Sequence, residues 1–86
     1  MYRLKWQGSG IKDYHYWQKH NQAIVDRIKE LLADMKLHPF EGIGKPEPLK
    51  GNLHGYWSRR ITQGHRLVYK VSGNWIVIYF CRGHYE

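Results

Sequence analysis

Apolar residues recur at helical spacing through the first half of this chain and at strand spacing through its last third, and that change of period limits the folds open to it. Asn21 is a good helix N-cap, because its side-chain oxygen accepts a hydrogen bond from an orphan amide of the first turn. After it Ile24, Ile28, Leu31, Leu32 and Met35 share one face, with Asp26, Arg27, Lys29, Glu30 and Asp34 largely on the others. Such a stripe has to be covered by something. Ile11, Tyr14 and Trp17 fall three apart and predict a shorter helix before it, one that would not persist alone. Pro39 ends the helical region. Further on, residues 56–61, 66–71 and 75–81 read as strands joined by turns at Gln63-Gly64 and Gly73-Asn74. The last of these is apolar on both faces, which predicts a central strand covered by helix on one side. Tyr2-Arg3-Leu4-Lys5-Trp6 alternates apolar and basic, as a strand with one buried and one cationic face would. The order β-α-α-β-β-β predicts an α+β domain over residues 1–86, with two N-terminal helices packed on a small, twisted, mainly antiparallel sheet.

Between the two periods lies residues 41–52, where Gly42, Gly44, Pro46, Pro48 and Gly51 predict a loop. It carries Lys45, Glu47 and Lys50, and loops hold more than their share of chemistry. A chain of 86 residues is one small domain with a high surface-to-volume ratio, and its 15% aromatic content supplies the bulk its core needs. Cys81 is the single cysteine, which removes intramolecular disulfides and cysteine zinc sites and fits a reducing compartment. It lies within the apolar run and reads as inert core. Residues 1–10 alternate apolar and basic without the continuous apolar core of a signal peptide, and the longest apolar run, of seven residues, falls well short of the roughly 20 that span a bilayer. The expectation is a cytoplasmic protein with no membrane partner.

Fourteen Lys and Arg against seven Asp and Glu give a net charge of +7, which favours anionic partners. His15, His20, His38, His54, His65 and His84 never fall at helical ligand spacing, so neither a metal nor another cofactor is expected. Gly42-Ile43-Gly44-Lys45 is too short to be a phosphate-binding loop. Instead Lys45, Lys50, Arg59, Arg60, His65, Arg66, Lys70, Arg82 and His84 are interleaved with Tyr56, Trp57, Tyr69 and Tyr85. Cations hold phosphates and aromatic rings stack on bases, so the mixture suits single-stranded RNA. It equally suits a sheet whose aromatics are core and whose charges form a solvated rim. Arg59 and Arg60 must point to opposite faces of their strand. A two-residue turn at Gln63-Gly64 aligns Arg59 with Arg66, whereas a three-residue loop with Gly64 left-handed aligns Arg60 with Arg66.

Several ordered strings carry a resemblance: Pro39-Phe40-Glu41-Gly42, Lys45-Pro46-Glu47-Pro48-Leu49-Lys50, Trp57-Ser58-Arg59-Arg60-Ile61, His65-Arg66-Leu67-Val68-Tyr69 and Cys81-Arg82-Gly83-His84-Tyr85. With Asp13-Tyr14 and Tyr16-Trp17-Gln18 they cover nearly the whole chain, which resembles the Txe/YoeB toxins of bacterial toxin–antitoxin pairs, within the RelE-like superfamily. The resemblance implies a RelE-like fold and a ribosome-dependent messenger RNA endonuclease that acts in the ribosomal A site, is neutralised by a cognate acidic antitoxin and forms a homodimer. By the same resemblance Glu47 matches the general base and His84 the general acid. Lys50, Arg60 and Arg66 match the cations on the scissile phosphate, and Tyr85 the aromatic that completes the site. Arg60 is thereby preferred to Arg59. Gly83 stands where the family commonly has a larger residue, which predicts a freed tail, and Glu86 extends beyond the tyrosine. The implied reaction is attack of a 2′-hydroxyl on the adjacent phosphorus without a metal, leaving a 2′,3′-cyclic phosphate and a 5′-hydroxyl. Two rivals remain: a non-catalytic toxin of the same fold that inhibits gyrase, and a repressor that binds RNA on its basic sheet without cutting it.

Overall fold

The computed structural model describes residues 1–84, so Tyr85, expected to complete the site, lies outside the described residues. The elements follow in the order β1 (Arg3–Trp6), α1 (Gly10–His20), α2 (Gln22–Leu37), β2 (Glu47–Pro48), a short 3-10 turn (Gly51–Leu53), β3 (Trp57–Thr62), β4 (His65–Ser72) and β5 (Trp75–Phe80). Asn21 separates the helices: its amide closes α1 on Trp17 O, and its side chain accepts from the Ile24 amide at 3.3 Å as the cap of α2. The predicted α2 stripe is buried, with Val25 added to it. In α1 the buried positions are Gly10, Asp13 and Trp17, so the expected stripe is displaced and Ile11 is 40% exposed. The cause is close packing at Gly10, where a Cβ would stand 2.7 Å from Ile78 O. That approach turns the glycine, not the isoleucine, toward the sheet.

The sheet order is β1-β5-β4-β3-β2, with β1 parallel to β5 and the other pairs antiparallel. β5 is interior, as its two apolar faces require. Both helices lie on one face, where Ile28, Leu31 and Met35 pack with Ile61, Leu67, Tyr69, Ile76 and Ile78. The other face is open and carries Arg3 and Lys5 beside Trp75 and Lys70 beside Tyr56. Segment 41–52 is more ordered than its glycines and prolines suggest, since Glu47 and Pro48 pair with Ser58 and Trp57. Pro48 has no amide to donate, a lack tolerated at a sheet edge, which is where β2 sits.

Candidate functional site

The register of β3 decides which arginine faces outward. Arg60 pairs with Arg66 and Thr62 with His65, so Ile61 is an extra residue in β3. Gln63-Gly64 forms the two-residue turn, and Gly64 is not left-handed. The alignment of Arg60 with Arg66 is thus produced by a bulge one step inside the strand, and neither turn geometry considered above describes it. Cross-strand partners project to the same side, which puts Arg60 and Arg66 together on the open face. Arg66 Nη1 donates to the carbonyls of Thr62, Gln63 and His65.

Arg59 turns the other way and is fully buried. Its Nη1 donates to Asp34 at 2.6 Å and to Ile43 O at 3.0 Å. Nη2 donates to His38 O and Glu41 O, and Nε to the Tyr69 hydroxyl. The Asp34 carboxylate also accepts from the Ile43 amide, and the Arg59 hydrogen bond holds its pKa below the ordinary 3.8. Burial pushes the Tyr69 hydroxyl up, against the opposing pull of Arg59. This cluster ties the chain between α2 and β2 to the helix layer. Gly44, at φ 81°, presses against Leu31 and its carbonyl accepts from the Arg60 amide at 2.7 Å. Lys45, the one non-glycine at positive φ among the described residues, turns the chain outward at φ 51°. Glu47 follows, exposed, opposite Ser58 and therefore on the face of Arg60 and Arg66. Lys50 lies three positions further along, in the direction away from the arginines, and lines a pocket of about 350 Å³ with His54, Tyr56 and Trp57.

The C-terminal tail returns to the opposite end of the same row. Cys81 is buried; its carbonyl accepts from Trp17 Nε1 at 2.8 Å and its amide donates to Asp13 at 3.0 Å. Burial pushes its thiol up to about 12, the Asp13 charge adding to the effect, as the inert-core reading requires. Gly83, expected to free the tail, is held on both sides. Its amide donates to His65 Nδ1 at 2.8 Å and its carbonyl accepts from the Arg66 amide at 2.9 Å. His84 then sets its Nε2 3.0 Å from Gln63 O, in the β3–β4 turn.

Glu47, the arginine pair and His84 thus follow one another along β3, Glu47 and the arginines on the open face and His84 beyond them at the β3–β4 turn. From Ser58 to Gln63 the strand covers about 16 Å, a span that side chains and a bound phosphodiester would share. The pair Asp34–Arg59, the short β2 and the bond from Gly83 to His65 escaped the sequence reading. A doubled arginine on a strand was the available signal for the first, since one of the two must face the helices. Among the described residues no group of three or more His, Cys, Asp or Glu side chains could hold a metal ion, and no helix is long and apolar enough to cross a membrane.

The family model for the YoeB-like toxin of bacterial type II toxin–antitoxin systems matches residues 6–85. Toxin YoeB of Escherichia coli K12 is 53% identical over 83 residues, which is 96% of this chain and 99% of that protein. Among solved structures, a YoeB/ParE toxin from Agrobacterium tumefaciens superposes with a TM-score of 0.91 at 47% identity, covering 96% of this chain and 99% of that one. YoeB from Staphylococcus aureus, solved as a dimer, gives 0.89 at 45% identity over 98% of both chains. The same toxin in a YoeB–YefM complex gives 0.89 at 45% identity over 99% of both. The match runs from the end of β1 into the tail, and about half of all positions are shared with relatives of full matching length; the chain belongs to the YoeB-like toxins of bacterial type II toxin–antitoxin systems.

Proposed function

We propose that this toxin is a ribosome-dependent messenger RNA endoribonuclease acting in the ribosomal A site. The observation that carries the proposal is the order along β3, with a carboxylate and two cross-strand guanidinium groups on the open face and an imidazole beyond them at the β3–β4 turn. Transesterification at phosphorus needs a base for the 2′-hydroxyl, an acid for the departing 5′-oxygen and positive charge on the non-bridging oxygens. Glu47 takes the first role and His84 the second. Arg60 and Arg66 take the third, being planar, permanently charged and able to grip two oxygens at once. Lys50 extends the phosphate contacts toward the pocket, and Tyr85 is the aromatic that completes the site by resemblance to the family. No bond is made to a metal or cofactor in this scheme, and DNA, which lacks the 2′-hydroxyl, is not cut.

The protein's place of work is then the cytoplasm. The YoeB–YefM complex and the YoeB dimer among its structural neighbours support an antitoxin partner and a homodimer here. The antitoxin is acidic, to suit a chain of net charge +7. The test is to map the ends of messenger on translating ribosomes incubated with the parent and with His84→Ala. Fragments ending in 2′,3′-cyclic phosphate, and their loss in the variant, are expected. Bound but intact messenger would identify a repressor, and arrested gyrase with untouched messenger the non-catalytic rival.

A further inference from the structure

The backbone that carries His84 is fastened to the sheet through His65, the first residue of β4. A backbone N–H can only donate, so the 2.8 Å contact from the Gly83 amide means that His65 Nδ1 carries no proton and the ring hydrogen sits on Nε2. The ring stands edge-on to Trp17 with centroids 4.7 Å apart, and Trp17 in turn holds the carbonyl of Cys81. Helix α1, strand β4 and the tail meet at this one imidazole. At Gly83 an added Cβ would meet nothing within 4 Å, and φ is 90°. Hydrogen bonds, not packing, therefore hold this residue, and it is the last one before His84.

We propose that His65 is a positioning residue: by accepting the Gly83 amide on a neutral Nδ1 it fixes the tail's most pliable joint and so sets where the His84 imidazole stands relative to Arg60 and Arg66. The inference rests on the reading of His84 as the general acid. His65 itself makes no contact with RNA in this scheme. A general acid works only within hydrogen-bond reach of its leaving group, so a loosened tail slows the chemical step without weakening the grip of the arginines on the strand.

Two substitutions separate positioning from bulk. His65→Phe keeps an aromatic ring against Trp17 and removes the acceptor, whereas His65→Asn restores an acceptor oxygen near the place of Nδ1. In the intact protein, amide hydrogen exchange at Gly83 is read by NMR, and cleavage kinetics are read on ribosomes programmed with a short messenger. In His65→Phe, Gly83 exchange is expected to quicken about tenfold. Its kcat should fall about tenfold or more, with KM held within about twofold. His65→Asn should return both readouts toward the parent. Unchanged exchange and kcat in His65→Phe overturn the proposal. So does a cleavage loss that His65→Asn fails to recover and that follows a fall in thermal stability. A parent that leaves messenger uncut, while His65→Phe still unprotects Gly83, removes the nuclease reading and upholds the anchoring of the tail by His65.

Discussion

Each Arg59 nitrogen that leaves water finds an acceptor among Asp34, three backbone carbonyls and the Tyr69 hydroxyl, as full burial of a guanidinium requires. Removing it strands those acceptors and frees the chain leading to Glu47. Arg59→Met is expected to lower stability in urea by about 3 kcal/mol or more. Arg60→Met, at an exposed position, should cost no more than about 0.5 kcal/mol while abolishing cleavage. Equal losses of stability would contradict the assignment of opposite faces. The pair also fixes an acid dependence. Asp34 is depressed below 3.8 in the folded chain, so the unfolded chain takes up a proton first as pH falls. Its stabilisation is complete above about pH 5 and is lost as pH drops through the ordinary carboxylate value toward the folded one. Urea midpoints of Asp34→Asn should therefore decline less over that acid range than those of the parent. That neighbouring arginines face apart was legible from strand geometry alone. Which of them faces the helices was not, because the answer depends on the extra residue Ile61 and on Asp34, 25 positions earlier in the chain.

At the scale of elements, the junction at Asn21 closes one helix and opens the next with a single residue. Asn21→Ala removes the side-chain acceptor while leaving the backbone closure intact. A loss of about 1 kcal/mol is expected, seen as a melting temperature lower by roughly 4–8 °C for a domain of this size. No shift would mean that the 3.3 Å contact contributes nothing in solution. The α2 stripe and cap were readable because they depend on residues within a few turns of one another. β1 was also readable, yet its parallel pairing with β5 was not, since a strand's period is blind to the direction of its partner. β2 escaped because two residues, Glu47 and Pro48, are too few to carry any periodicity. Its pairing exists because Arg59 and Gly44 bring the chain against β3, a tertiary cause invisible in local sequence. The same holds for the tail, where Gly83 suggested freedom and its hydrogen bonds with two strand residues, one donated to His65 and one accepted from Arg66, impose order.

Taken whole, the molecule carries its excess of cations on the sheet. On the helices Lys12, Lys19, Arg27, Lys29 and Lys36 nearly balance Asp13, Asp26, Glu30 and Asp34, whereas Arg3, Lys5, Arg60, Arg66 and Lys70 sit on strands. On the open face Arg3 and Lys5 stand 4.6 and 5.2 Å from the Trp75 ring, and Lys70 stands 5.7 Å from the Tyr56 ring. The net charge was legible from composition, but the gathering of these strand cations on one face needed the fold, which turns them away from the helices. A polyanion held on this face releases counterions as each cation meets a phosphate, so affinity must fall with salt. For a single strand the slope is about −0.7 per phosphate contacted. Anisotropy titrations of a 2′-O-methylated, uncleavable RNA oligomer over a range of salt concentrations measure it directly. Lys5→Ala is expected to flatten the log–log slope by about 0.7, although Lys5 is remote from the arginine pair. Lys29→Ala, on the exposed surface of α2, removes the same charge from the other side and should leave the slope unchanged. Equal flattening by both would mean that RNA responds to net charge alone, and that the open face is no track for the strand.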